Sequence, residues 1–238
     1  MSFVVKNTTI SRLLDLVCPH ICRSCGRLGK VLCDCCKDDN IRQHENICPL
    51  CKKCLGSQEL KCNECETEFE MVVVAGWKEA ALGKIVAEYK YKSVRAAGEV
   101  MAELLNYAIE EKIGELDDWE DTVIIPLPTI SRHIRERGFD HTWDLAEKLA
   151  QRRGWKVEKL LERAKDTVQV GMSAAIRQAQ AKEAYQVCGK IVPGQRYMLI
   201  DDVWTTGASV MGAARAMRKA GAEKLAVGVV VTTKARED

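Results

Sequence analysis

Hydrophobic and polar residues follow two alternating patterns from Glu68 onward. Short apolar runs predict buried strands at Met71–Val74, Val123–Ile125, Tyr197–Ile200 and Leu225–Val231. Apolar residues at three- and four-residue spacing predict amphipathic helices at Ala80–Tyr91, Ala96–Ile109, Trp143–Arg152 and Ala208–Ala220, the last closed by Gly221. Strands that alternate with helices in this way predict a mostly parallel sheet covered on both faces, and therefore an α/β fold.

The preceding residues are organised differently. One short amphipathic helix is predicted within residues 1–17, over Ser11–Val17, whereas residues 18–66 show little apolar periodicity. Since residues 18–66 cannot bury a large core, something other than apolar contacts must hold them together. We therefore predict three parts, which are the N-terminal helix, a small module at 18–66 and an α/β domain at 67–238.

Cysteine is concentrated in the small module, which holds 11 of the 12 cysteines of the chain.

The N-terminal residues do not form a signal peptide pattern, because Lys6 and polar residues interrupt them. No apolar run reaches the roughly 20 residues of a membrane span. The sequence therefore predicts a cytoplasmic protein without membrane insertion, in a reducing compartment where cysteines favour metal over disulfides.

Eight of these cysteines form four C-x-x-C turns, each of which points two thiolates at one ion. The pairs are Cys22 with Cys25, Cys33 with Cys36, Cys48 with Cys51, and Cys62 with Cys65. Two turns complete a tetrahedral sulfur site, so we predict a double zinc ribbon with two structural zinc ions. Sequence order favours pairing the first two turns and the last two, while interleaved pairing and iron–sulfur binding stay open. Cys18, Cys35 and Cys54 are supernumerary, and His20 and His44 are weaker ligand candidates.

The segment 197–209 carries the most informative pattern, because an apolar strand ends in Asp201 and Asp202 and a loop of small residues follows. The loop residues, which offer hydroxyl groups and backbone amides, are Thr205, Thr206, Gly207, Ala208 and Ser209. Ligands bind at the carboxyl ends of parallel strands, and a helix N-terminus presents N–H groups to an anion such as phosphate. Adjacent carboxylates suit sugar hydroxyls or Mg²⁺ beside that phosphate. The pattern thus predicts a pocket for a phosphorylated sugar.

This segment resembles the phosphoribosyl pyrophosphate signature of type I phosphoribosyltransferases. The whole chain is similar to the ComF family of competence-associated proteins, in which a zinc ribbon precedes a phosphoribosyltransferase-like domain. The resemblance rests on the C-x-x-C turns and on three further stretches, which are Tyr89–Lys92, Pro126–Pro128 with Arg137–Phe139, and 198–209. It implies an α/β domain whose sheet is of the type I phosphoribosyltransferase kind.

The resemblance also implies roles for individual residues. Asp201 and Asp202 would hold the ribose hydroxyls, and residues 205–209 would bind the 5′-phosphate. Arg132 and Arg137 would face the pyrophosphate and its Mg²⁺. No catalytic residue is assigned.

Several positions depart from the family pattern. Asp140 and His141 stand where family members usually have Asn-Gln, and a later motif is altered across residues 169–180. Thr205 stands where purine salvage enzymes of the wider fold place a carboxylate that helps to take a proton from the base. A purine-transfer activity is therefore disfavoured. His133 and His141 flank the basic loop and are candidates for phosphate contact, although surface side chains are the favoured interpretation.

Charge bears on the choice between two functions. The net charge is only +2, but residues 131–165 hold ten basic and six acidic residues. This stretch predicts either a backbone track for single-stranded DNA, with Phe139, Trp143 or Trp155 as stacking platforms, or a solvated helix face beside the pyrophosphate.

The favoured function is a phosphoribosyl pyrophosphate-binding protein that acts in uptake or processing of transforming single-stranded DNA, with a competence helicase as a partner. The alternative is an active phosphoribosyltransferase of nucleotide metabolism, which releases pyrophosphate and has no role in DNA handling.

Overall fold

The computed structural model describes residues 20–42, 45–56, 59–114, 119–164 and 184–234. The predicted N-terminal helix at 1–17, Cys18, His44 and the altered motif at 169–180 lie outside these residues. None of the described helices combines the length and the apolar character that a membrane span requires.

The secondary structure of the described residues alternates between strands and helices. The strands are β1 (His20–Ile21), β2 (Leu28–Gly29), β3 (Met71–Trp77), β4 (Val123–Pro126), β5 (Lys156–Val157), β6 (Leu161–Arg163), β7 (Tyr185–Val187), β8 (Arg196–Trp204) and β9 (Lys224–Thr232). The helices are α1 (Asp34–Arg42), α2 (Ala80–Tyr91), α3 (Arg95–Ile113), α4 (Ser131–Arg137), α5 (His141–Arg153) and α6 (Ala208–Lys219).

Five strands form one parallel sheet in the order β3-β9-β8-β4-β5. Alternate residues of β8 face opposite sides of this sheet, as the pleat requires. Met198 and Ile200 pack in a hydrophobic cluster with helices α2, α3 and α5, whereas Tyr197 and Leu199 pack in a second cluster with α6. Both faces are therefore covered, and the predicted α/β fold class is confirmed.

The strand that carries the signature is longer than its apolar run. β8 continues through Asp201 and Asp202 to Trp204, because its backbone stays paired with β9, where Asp201 aligns with Val229 and Trp204 with Thr232. The two carboxylates thus lie on a strand at the edge of the core. This extension fixes their positions more firmly than a loop would.

Helix α4 is the main element that apolar spacing did not predict. It runs from Ser131 to Arg137, and none of its residues is buried. Since amphipathic periodicity arises from burying one face, a helix without a buried face has no such signal. Its last turn leads into Gly138, which adopts the left-handed conformation with φ 77°.

The cysteine module packs directly on the α/β domain. Strands β1 and β2 pair antiparallel, helix α1 follows, and Val31 and Leu32 are only 2% exposed. These two residues belong to the same hydrophobic cluster as α2 and α3. The Val72 amide also donates a hydrogen bond of 2.8 Å to the Leu60 carbonyl. The module therefore shares its core with the domain, which compensates for its own small size.

Candidate functional site

The signature loop spans residues 205–207, between the end of β8 and the start of α6. Gly207 has φ 77°, and its carbonyl accepts the Met211 amide at 2.8 Å to begin the helix. A Cβ at Gly207 would lie only 2.6 Å from the indole ring of Trp204, which is 1% exposed. Glycine is thus required both by the positive φ and by the ring beneath it.

A cavity of about 440 Å³ opens where β4 and β8 end. It brings together five of the residues predicted to bind phosphoribosyl pyrophosphate, which are Arg137, Asp201, Asp202, Thr205 and Ser209. Of the other loop residues, Thr206 and Ala208 are exposed, and the Ala208 amide donates to the Thr206 hydroxyl at 3.4 Å. The carboxylates and the side chains of Thr205 and Ser209 therefore line one cavity.

Arg132 is placed differently from Arg137. It lines a neighbouring hollow of about 830 Å³, and its guanidinium pairs with Glu136 at 3.2 Å on the exposed side of α4. Its side chain is 71% exposed. The predicted pair of arginines is thus divided between two hollows, and only Arg137 lines the carboxylate cavity.

Asp202 is held in a buried network that the sequence did not reveal. Its Oδ1 accepts an ion-pair contact of 2.8 Å from the Lys90 ammonium, and its Oδ2 lies 3.5 Å from His141 Nε2. The residue is 1% exposed, and Oδ2 is buried without a hydrogen-bond partner among the described residues. Lys90 belongs to the Tyr89–Lys92 stretch that carries the family resemblance, yet spacing alone gave it no role.

Asp201 accepts a hydrogen bond of 2.8 Å at Oδ1 from the backbone amide of Asp202. Burial raises the pKa of Asp201 well above its usual range, and the neighbouring charge of Asp202 adds to the rise. The two adjacent carboxyls therefore differ in environment, since only Asp202 is neutralised by a direct lysine contact.

His141 is buried at 6% exposure, and the expectation that it is a surface histidine was wrong. Its Nδ1 lies 2.8 Å from Arg137 Nη1, and a guanidinium can only donate. Nδ1 is therefore the acceptor, and the ring proton sits on Nε2, facing Asp202. The ligand atoms of His141, Asp201 and Asp202 lie within 4.8 Å of one another, but this tautomer leaves Nε2 no lone pair for a metal ion.

His141 lies at the start of helix α5 and contacts helix α2. Asp140 caps the helix by accepting the Trp143 amide at 3.4 Å, so His141 falls in the first turn. The hydroxyl of the fully buried Tyr89 donates to the His141 carbonyl at 2.9 Å. These contacts come from elements distant in sequence, so no local pattern indicated the burial of this residue.

The acid stability of the protein should depend on His141. Burial lowers its pKa from 6.5 to about 4, against the opposing effect of Asp202. Below pH 6.5 the unfolded chain therefore takes up a proton that the folded chain does not bind. The free energy of unfolding consequently decreases as the pH is lowered from 6.5 to about 4. His141→Gln should remove up to about 3 kcal/mol of that loss. Urea unfolding of parent and variant from pH 7 to 4 measures it, and parallel profiles would contradict the prediction.

The eight cysteines of the four turns gather into two sets. Cys22, Cys25, Cys33 and Cys36 form the first set, and Cys48, Cys51, Cys62 and Cys65 form the second, with the sulfurs of each set within 4.8 Å of one another. This is the sequential pairing that chain order favoured. Cys35, Cys54 and His20 belong to neither set among the described residues.

The sulfur separations fit zinc. Four sulfurs at about 2.3 Å from one zinc ion lie about 3.8 Å apart in a tetrahedron. The observed distances are 3.6 Å for Cys25–Cys33, 3.9 Å for Cys48–Cys65 and 3.8 Å for Cys51–Cys62. Each set could therefore hold one zinc ion with all four positions filled by protein, which is typical of a structural site.

Two of the three predicted stacking platforms are buried. Phe139 is 8% exposed and lies edge-on to Tyr89 at 5.4 Å, with the Arg95 guanidinium 5.0 Å from its ring. Trp155 is 7% exposed and lies under Arg153. These rings cannot stack on a nucleotide base, so only Trp143, which is partly exposed, stays available.

The basic residues of helix α5 are paired within the protein. Arg152 contacts Glu99 at 3.2 Å, and Arg153 pairs with Glu110, both partners lying on α3. Lys148 contacts Glu99 as well, at 3.6 Å. These contacts neutralise the basic residues of α5, and they make this helix a poor phosphate track.

Comparisons with known proteins include a match over most of the chain. No protein-family model matches the chain. The chain is 26% identical over 194 residues to Competence protein F of Haemophilus influenzae, which covers 75% of this chain and 82% of that protein. It is also 49% identical over 43 residues to an orotate phosphoribosyltransferase of Pyrococcus abyssi, or 18% of this chain and 24% of that protein.

Solved structures of phosphoribosyl-group enzymes are also similar to part of the chain. The glutamine phosphoribosylpyrophosphate amidotransferase of B. subtilis is 20% identical with a TM-score of 0.41, over 60% of this chain and 30% of its own. A hypoxanthine phosphoribosyltransferase of Staphylococcus aureus is 9% identical with a TM-score of 0.34, over 59% of this chain and 68% of its own. The fold class rests on the sheet order rather than on these scores.

Motifs, sheet and the long sequence match are consistent with one another. The C-x-x-C turns form two sets, the signature lies where β8 ends, and the long match spans most of both proteins. The chain is therefore a homologue of Competence protein F, and its resemblance to the ComF family is confirmed.

Proposed function

We propose that this protein binds phosphoribosyl pyrophosphate at the carboxyl end of its sheet and acts in the uptake or processing of transforming single-stranded DNA. The observation that carries the binding proposal is the cavity that joins Asp201 and Asp202 to the loop at the start of α6. The name of the relative, Competence protein F, supports the role in DNA handling.

The cavity offers a distinct group to each part of the ligand. The 5′-phosphate binds the amides and hydroxyls of residues 205–209, where the dipole of the 12-residue helix α6 favours an anion. The ribose hydroxyls donate to Asp201 and Asp202. A hydroxyl that reaches Asp202 Oδ2 would satisfy a buried acceptor that otherwise costs folding free energy.

The pyrophosphate lies towards Arg137, which is partly buried and already held by His141. Mg²⁺ bound to the pyrophosphate would neutralise part of its charge. Asp202 is already paired with Lys90. Arg132 lies outside this cavity, so its proposed role in pyrophosphate binding requires movement of helix α4.

The alternative is an active phosphoribosyltransferase of nucleotide metabolism. Thr205 offers no carboxylate to take a proton from an incoming base, and His141 carries its proton on the atom that faces Asp202. Release of pyrophosphate from phosphoribosyl pyrophosphate and Mg²⁺, measured with a panel of amine, amide and base acceptors, separates the two functions. Turnover with any acceptor would favour the enzyme, whereas absence of turnover with all of them would favour the binding protein.

We further propose that each cysteine set holds one structural zinc ion, and that the module they stabilise contacts DNA or a partner helicase. Zinc, when bound, supplies a fourfold covalent cross-link between segments that have few apolar contacts of their own.

Single-stranded DNA is proposed to contact the 830 Å³ hollow rather than the basic residues of helix α5. Arg135 and Lys159 line this hollow beside Trp143, and neither forms an ion pair among the residues that the structure describes. A basic surface with one accessible aromatic ring suits a backbone and a stacked base.

The salt dependence of DNA binding tests this placement. Arg135→Gln with Lys159→Gln should reduce the slope of log affinity against log salt by roughly 1.4, at about 0.7 for each phosphate contact on a single strand. The matched control is Arg152→Gln with Arg153→Gln, which removes two arginines already paired with Glu99 and Glu110. Fluorescence anisotropy with a labelled oligonucleotide measures both slopes. A larger decrease of the slope in the control pair would place the DNA contact on the arginines of helix α5 instead.

A further inference from the structure

A hydrogen-bonded chain connects the second cysteine set to the signature loop. Lys52 follows Cys51 directly, and its ammonium donates to the Thr232 hydroxyl at 2.8 Å. Thr232 is fully buried, and its hydroxyl donates in turn to the Trp204 carbonyl at 3.1 Å. Donor and acceptor directions agree along the whole chain, since a lysine ammonium can only donate and a hydroxyl does both.

The cysteine turn determines where Lys52 lies. The Lys52 amide donates to the Cys48 carbonyl at 2.9 Å, and its ammonium also donates to the Pro49 carbonyl at 2.6 Å. Its backbone adopts φ 65°, which a residue other than glycine rarely does unless its surroundings require it. The turn that orients Cys48 and Cys51 towards an ion therefore also orients Lys52 towards the sheet.

Trp204 supports the signature loop through both its backbone and its side chain. Its backbone carbonyl is the acceptor for Thr232, and the loop begins at the next residue. Its indole ring lies directly under Gly207, close enough that a Cβ there would collide with it. A shift of Trp204 would therefore move both ends of residues 205–207.

We propose that Lys52 is a positioning residue for the phosphate-binding loop, so that the second cysteine set, once folded around its ion, stabilises the loop through Thr232 and Trp204. This inference rests on the proposed binding of a sugar phosphate at that loop. It gives the cysteine module a direct part in ligand binding, in addition to its part in folding.

The first cysteine set provides a matched comparison. Lys37 follows Cys36 as Lys52 follows Cys51, but the Lys37 ammonium contacts Glu103 on helix α3 at 2.7 Å. This contact joins the module to helix α3 and not to the signature loop. Lys37→Met is therefore a control that removes an equivalent lysine contact of the module.

The experiment compares Lys52→Met, Thr232→Val and Lys37→Met in the full chain. Lys52→Met removes the donor that begins the series of hydrogen bonds, and Thr232→Val removes the hydroxyl in its middle, each with a side chain of similar size. Ribose 5-phosphate affinity is measured by calorimetry, and zinc content by mass spectrometry. Labelling with 5-fluorotryptophan reports the ring of Trp204 by ¹⁹F NMR, with its resonance assigned by Trp204→Phe.

We expect Lys52→Met and Thr232→Val each to weaken ribose 5-phosphate binding by about threefold to tenfold and to shift the Trp204 resonance, with zinc content unchanged. The double variant should lose little more affinity than either single variant, because both substitutions interrupt the same series of hydrogen bonds. Lys52→Arg should recover part of the affinity, and Lys37→Met should change neither reading.

Two results would overturn the inference. One is an unchanged Trp204 resonance in Lys52→Met and Thr232→Val, and the other is an equal loss of affinity in Lys37→Met. If the parent itself binds no ribose 5-phosphate, the proposed function fails, and the Trp204 resonance alone then decides whether Lys52 positions the loop.

Discussion

Replacing Asp201 and Asp202 together by asparagine is expected to weaken the binding of phosphoribosyl pyrophosphate by about a hundredfold or more. Each carboxylate accepts ribose hydroxyls in the proposed complex, and a hydrogen bond to a charged acceptor contributes roughly 1.5–3 kcal/mol. The substitution keeps the size of both side chains and removes only the charge. Inorganic phosphate should still bind the loop at residues 205–209, because its amides are untouched.

A control is needed because Asp202 also neutralises Lys90, whose side chain is only 20% exposed. Asp202→Asn leaves that charge partly buried without its partner and should lower the thermal stability. Adding Lys90→Met removes the stranded charge and should restore stability without restoring affinity. Calorimetric titration and thermal unfolding of the same variants separate the two effects, and wild-type affinity in the Asp201→Asn, Asp202→Asn protein would refute the assignment of the ribose site.

Removal of zinc is expected to have the largest effect on the cysteine module. The purified protein should contain two zinc ions per chain, one for each cysteine set. Structural zinc contributes on the order of 10 kcal/mol or more to the folding of small modules, and the cysteine module has few apolar contacts apart from those with α2 and α3. Chelation should therefore unfold residues 20–66 and expose Val31 and Leu32, while the cluster on the α6 face of the sheet persists.

Single-cysteine variants sharpen this prediction. Cys25→Ser and Cys51→Ser should each reduce the zinc content from two ions to one, because the two belong to different sets. Elemental analysis measures the content, and far-ultraviolet circular dichroism before and after chelation measures the loss of structure. One ion or none in the parent, or the loss of both ions in a single variant, would reject two independent sites.

The elements that bury one face could be predicted from apolar spacing. Helix α2 begins and ends at the predicted residues, and the core of β8 lies in its apolar run. The extension of β8 to Trp204 could not be predicted, because pairing with β9 and not hydrophobicity maintains it. Helix α4 could not be predicted either, since it buries no residue.

The candidate site was predictable where a local motif encodes it and not where distant segments meet. Asp201, Asp202 and the loop follow one another in sequence, and their pattern alone indicated a sugar phosphate. Lys90 and His141 reach Asp202 from two different helices, and only the folded chain brings these residues together. The same holds for Lys52 and Thr232, which are 180 positions apart.

The most direct test of the account is an equilibrium titration of the zinc-loaded protein with phosphoribosyl pyrophosphate, with and without Mg²⁺. We predict saturable binding of one ligand per chain, strengthened by Mg²⁺ and competed by ribose 5-phosphate, which shares the phosphate loop and the carboxylates. Absence of binding in the presence of Mg²⁺, or binding that Asp201→Asn with Asp202→Asn leaves unchanged, would contradict it.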